Sequence, residues 1–132
     1  MVTVRNVDAW RALGAASDRC LAAFEAWNEE RTSPHTAREM EAAAGDYAEC
    51  LAPLIGHEAA FAYEAATRAL LEAIERHAQL NLTMSLAKSI DAIDAEMLLQ
   101  CAADQRAAEK ARKTAEAAVL AALEKAKARN GP

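Results

Sequence analysis

Residues 10–27 read WRALGAASDRCLAAFEAW, and the spacing within that stretch decides the fold. Trp10, Leu13, Ser17, Cys20, Phe24 and Trp27 recur three and four residues apart. At 3.6 residues per turn they share one face of an α-helix, here widened by Leu21. A strand would need apolar and polar residues to alternate, and they do so nowhere over a strand length, so no sheet is expected. Asn6 is placed to cap this first helix, with Asp8 in its first turn, where negative charge suits the helix dipole. The first helix is expected over residues 7–30, ending as Glu29, Glu30 and Arg31 carry it into solvent.

Thr32-Ser33-Pro34 is the clearest boundary that follows. Ser33 is a good N-cap, and Pro34 fits the first helical position, where no amide partner is needed. A second helix is expected over residues 34–52, with Met40, Ala43 or Ala44, Tyr47, Leu51 and Leu54 inward. Pro53 removes an amide donor and should end or kink it, and Gly56 suits a C-terminal position. A third helix is expected over residues 57–80, with Phe61, Leu70, Leu71, Ile74 and His77 or Ala78 inward. Asn81 to Ser85 contains neither Gly nor Pro, yet a break is expected there, capped by Thr83 or Ser85. An unbroken helix to Arg129 would exceed about 100 Å at 1.5 Å per residue.

The last helix is expected over residues 85–129. Its first half carries a heptad-like series of Leu86, Ile90, Ile93 and Met97, flanked by Leu98 and Cys101. Its second half is alanine-rich and charged, regaining large side chains only at Val119, Leu120 and Leu123. So long a helix should either bend near Asp104 or leave residues 105–129 overhanging. The expected fold is therefore a single all-α domain, an antiparallel four-helix bundle with a long, alanine-rich C-terminal helix.

Composition agrees with that pattern. The chain has 132 residues, enough for one domain with a modest core. It holds 36 alanines, while large apolar residues make up only about a quarter of it. Alanine is the strongest helix former but removes little area from water, so close-packed helices or self-association should compensate. The three cysteines, Cys20, Cys50 and Cys101, are odd in number and widely spaced, and Met1 to Arg5 is followed by a polar stretch rather than a secretory leader. Free buried thiols in a reducing cytoplasm are expected. No apolar run approaches the roughly 20 residues of a membrane span, so no membrane partner is expected.

Charge is unevenly distributed. Net charge is −5, but residues 105–132 hold seven cations against three carboxylates, leaving about −9 on the rest. Arg106, Lys110, Arg112 and Lys113, with Val119, Leu120 and Leu123, form the candidate interaction surface: a basic arm able to meet an acidic face of a partner or of a second protomer. The plainer reading is a solvated helix end whose cations suit the C-terminal dipole. Nucleic acid is not expected as a partner, since the body is acidic and the tail has no aromatic residue for base stacking.

The residues of site chemistry do not assemble. Di-iron bundles need Glu-x-x-His on facing helices, and no glutamate stands three residues before His35, His57 or His77. His35 and Glu39 make an i,i+4 pair of the kind usual on surfaces. A catalytic thiol would need Cys50 beside His57, across Pro53. Asp91/Asp94 and Glu72/Glu75 are i,i+3 carboxylates more typical of a solvated face than of acid–base work. Trp10, Phe24 and Trp27 could line a pocket, but aromatics at helical spacing ordinarily build the core. No metal, cofactor or catalytic residue is expected. The functional expectation is a non-enzymatic interaction module, an adaptor or inhibitor with a protein partner. Small acidic helical proteins of this kind include host-defence inhibitors carried by phages, although no residue here marks that role. The alternatives are a self-associating assembly protein, with a homodimer expected through the distal last helix, and a bundle that binds a small apolar ligand.

Overall fold

The computed structural model describes the backbone of residues 4–87 and 92–130, and the side chains of residues 7–83 and 95–129. Four helices follow in order: α1 (Val4–Glu29), α2 (Pro34–Ile55), α3 (His57–Ala87) and α4 (Ala92–Asn130). They pack against one another as an all-α bundle, with no strand among the described residues. α1 lies on α2, α2 on α3 and α3 on α4, with a smaller contact between α2 and α4. Paired residues run in opposite senses, Glu41 with Arg68 and His77 with Gln105, so neighbouring helices are antiparallel.

The α1–α2 turn is built as its sequence requires. Ser33 is extended, at φ −77° and ψ 122°, and its hydroxyl accepts from the Thr36 amide. The Thr36 hydroxyl donates back to the Glu30 carbonyl at 2.7 Å, tying the end of one helix to the start of the next. At the α2–α3 turn Gly56 adopts φ +94°, a left-handed value that favours glycine.

Several boundaries differ from expectation, each for a local reason. α1 begins at Val4, so Asn6 lies inside it and Asp8 beyond its first turn; a cap contributes only about 1 kcal/mol, and nothing in Val4-Arg5 breaks a helix. α2 continues through Pro53 to Ile55. Proline there removes only the bond to the Glu49 carbonyl, and both residues are exposed, so water can take its place. α3 runs through residues 81–85 to Ala87. The Thr83 hydroxyl donates to the Gln79 carbonyl at 2.9 Å, which satisfies it within the helix rather than at a cap.

The core contains Trp27, Met40, Leu51 and Val119 at full burial, with Leu13, Cys20, Tyr63, Leu70, Leu71 and Ile74 around them. Ala16, Ala44, Ala48, Ala60, Ala73 and Ala126 are also buried, so the methyl groups mark close helix approach. Two expected core residues lie outside it. Leu21 is exposed, and Phe61 is half exposed and stacks on His57 at 5.3 Å. The inward face of α3 is Ala60, Tyr63, Thr67, Leu70 and Ile74. That series keeps three-and-four spacing, and Phe61 falls off it.

The last helix departs most from expectation. Residues 105–129 do not overhang: Arg112, Val119 and Ala126 are buried, seven residues apart, and Ala108, Ala115 and Leu123 pack against the core. The opposite end projects instead. Arg31, just after α1, meets Glu109 at 2.8 Å, which sets the α1–α2 turn level with that residue. α4 begins 17 positions earlier, at Ala92, so it extends about 25 Å past the turn. Met97 and Leu99 are exposed on this stretch, as is Leu82 on the adjoining part of α3. Leu98 and Cys101 are half-buried, while Leu86, Ile90 and Ile93 of the heptad-like series lie outside the described side chains.

Candidate functional site

α1 and α4 occupy the outer positions of the bundle and have no close backbone approach. The space between them is spanned by side chains. Arg31 reaches Glu109 at one level, and Arg112 fills the next. Arg112 points inward because residues 101, 105, 108, 112, 115, 119, 122 and 126 form one three-and-four face of α4, all of them buried or half-buried. Half of the positions on that face are alanine, which leaves room for one long side chain.

The Arg112 guanidinium is held on three sides. It lies 4.4 Å from the centre of the Phe24 ring, a cation–π contact. Nη2 donates to the Tyr63 hydroxyl at 3.0 Å, and Nη1 to Glu116 at 3.2 Å. The two charges differ in setting: the Arg112 side chain is 9% exposed and that of Glu116 48%. Nε of Arg112 is buried and has no hydrogen-bond partner. The Tyr63 hydroxyl also lies 3.6 Å from Cys20 Sγ. Burial pushes the Cys20 thiol, Tyr63 and Tyr47 upward from their ordinary values, so all three are neutral at physiological pH.

A cavity of about 270 Å3 opens beside Arg112. Phe24, Tyr47, Tyr63 and Val119 form its inner wall, Ser17 and Cys20 one side, and Leu21 and Leu120 its rim. Tyr47 and Tyr63 meet edge to face at 5.4 Å. A second, larger groove of about 600 Å3 lies between the α1–α2 turn and α3. Ala37, Leu71, Ala78 and Leu82 line it, with charges of both signs from three arginines and three glutamates.

The residues read from the sequence as an interaction surface do not share one surface. Arg106, Lys110 and Lys113 are exposed, Leu120 is exposed at the cavity rim, and Leu123 is half-buried against the core. Arg112 and Val119 are interior. Of the aromatic trio, Trp27 belongs to the core, Trp10 packs at its edge, and only Phe24 lines the cavity. Tyr63, which organises the site, was missed, although its place in the α3 series was a usable signal. His35 and Glu39 meet at 3.1 Å on the surface. Cys20, Cys50 and Cys101 are free thiols, Cys20 buried and the others half-buried. Among the described residues no group of three or more His, Cys, Asp or Glu is placed to hold a metal, and no helix is long and apolar enough to cross a membrane. Asp91 and Asp94 lie outside the described side chains. No family model, curated protein or solved structure matches the chain.

Proposed function

We propose that the chain is a non-catalytic interaction module, an adaptor or inhibitor that holds a partner protein against the projecting end of α3 and α4. The observation that carries this reading is the exposure of Leu82, Met97 and Leu99 where the two helices outrun the rest of the bundle. Large apolar side chains gathered at one end of a small protein are characteristic of interaction sites. Leu82 also lines the groove, with Ala37, Leu71 and Ala78.

The groove does not carry one sign of charge. Glu41, Glu72 and Glu75 line it together with Arg31, Arg38 and Arg68, and Arg68 pairs with Glu41. The partner that fits presents an apolar strip with charges of both signs along its flanks.

The test uses a photoreactive side chain at position 99 in the native host, with position 22 on the exposed face of α1 as control. A partner protein captured at 99 and not at 22, and lost with Leu82→Glu plus Leu99→Glu, supports the reading. If the species captured at 99 is a second copy of this chain, and light scattering shows a dimer that the same substitutions dissociate, self-assembly takes its place.

A further inference from the structure

The Arg112 cavity lies on the opposite side of the α1–α2 turn from the projecting end, and the interaction reading does not use it. A guanidinium is a costly group to place inside a bundle that is short of apolar area. Its present partners do not use its full donor capacity. Arginine has five N–H donors; Arg112 spends one on Tyr63 and one on Glu116, and Nε has no partner.

Its counter-charge is also the weak half of the pair. The Glu116 side chain is half in water and one helical turn away on the same helix, the geometry of a surface ion pair that a better-placed anion displaces at little cost. The other polar groups of the cavity are hydroxyls and a thiol, uncharged at neutral pH, so Arg112 and Glu116 are its only charges. A single buried cation suits a monoanion. Inorganic phosphate or a phosphomonoester would bring close to two negative charges against one positive, with Glu116 still near. A carboxylate brings one, and its two oxygens match the guanidinium fork.

The rest of the cavity is apolar. Leu21 and Leu120 are 59% and 54% exposed, one on each helix, so an apolar body lying between them covers side chains that otherwise face water. At about 270 Å3 the space is just under the roughly 300–1,000 Å3 of drug-sized ligand sites, which sets a fragment-sized guest.

We infer that the α1–α4 cavity binds a small carboxylic acid with an apolar body, its carboxylate replacing Glu116 on the Arg112 guanidinium and its apolar part lying between Leu21 and Leu120. No bond is made or broken. Glu116 turns outward to solvent, and the guanidinium keeps its place on Phe24 and its bond to Tyr63.

The experiment titrates the full chain with phenylacetate and hexanoate, and with the matched neutral amides, following arginine Nε–H and backbone amide resonances by NMR. Both acids should move the Arg112 Nε–H signal saturably, and the amides should bind at least about tenfold more weakly, since they lack the charge-assisted bond. Glu116→Gln removes the internal competitor and should tighten acid binding by about two- to fivefold, the reach of an exposed ion pair. A merely structural Arg112–Glu116 pair gives no such gain. Leu120→Glu, at an exposed position that leaves the fold intact, should abolish acid binding by placing a carboxylate at the rim. Three outcomes overturn the inference: no saturable shift with either acid, equal binding of acid and amide, or weaker acid binding in Glu116→Gln.

Discussion

Residues 80–87 with 92–99, and residues 105–129, are all helical, and burial orders the two regions opposite to their hydrophobicity. The first stretch carries leucine, isoleucine and methionine at short intervals, yet Leu82, Met97 and Leu99 are exposed. The second has only three large aliphatic side chains among its alanines and charges, yet Arg112, Val119 and Ala126 are buried in it. The difference teaches that neighbouring helix length, rather than side-chain size, decided which half of α4 is covered. α1 and α2 have 26 and 22 residues, about 39 and 33 Å. α4 has 39 residues, about 58 Å, and cannot be covered along its whole length. The Arg31–Glu109 pair fixes where cover stops. Alanine along the covered half then lets the helices approach closely.

Matched substitutions in the two regions break or sharpen that contrast. The largest effect is expected from Val119→Asp, which places an unpaired carboxylate at a position 1% exposed. It should cost about 4 kcal/mol or more, enough to abolish cooperative unfolding in a chain of ordinary stability. A loss under about 1 kcal/mol in a denaturant titration would place the distal half outside the core. Ala126→Leu comes next. The alanine is fully buried, and overpacking of such a site costs about 1–3 kcal/mol; a gain in stability would reveal spare room beside α4.

Tyr63→Phe isolates the polar part of the covered half. It strands the Arg112 Nη2 donor that the hydroxyl now accepts, for a loss of about 1–3 kcal/mol. The same cluster gives a signed pH response. Burial holds the Cys20 and Tyr63 protons in the folded state above the ordinary 9.0 and 10.0 of the unfolded chain. Their contribution is therefore fully present below pH 9.0 and is lost as pH rises through the folded values. The melting temperature should be flat with pH up to that point with respect to these groups and fall above it, less steeply in Cys20→Ala. The smallest effect is expected from Leu99→Glu at a position 72% exposed, within about 0.5 kcal/mol of zero. A large loss there would mean that the projecting end is packed.

The helices themselves were legible because three-and-four spacing does not depend on which residues fill it. The Ser33 cap with Pro34 marked the sharpest turn, and Gly56 the next. What escaped the sequence was the facing of side chains wherever size and position disagreed. Phe61 is more apolar than Tyr63, yet Tyr63 stands in line with Ala60, Thr67 and Leu70. Arg112 read as part of a basic arm because charge suggests solvent, while its register with Val119 and Ala126 places it inside. The break after Leu80 was inferred from length, and Thr83 met its hydrogen-bonding need within the helix instead. The cavity was not legible, since it is set by the gap between α1 and α4, two helices at opposite ends of the chain.

Native-state hydrogen exchange read along α4 tests the account most directly. Amides from Arg112 to Ala126 should exchange only through global opening, at the same free energy as those of Met40 to Leu51, while amides near Met97 and Leu99 should exchange through cheaper local opening. Protection that is strongest near Met97 and falls away toward Ala126 would contradict it, and would return the overhang to the distal half of the helix.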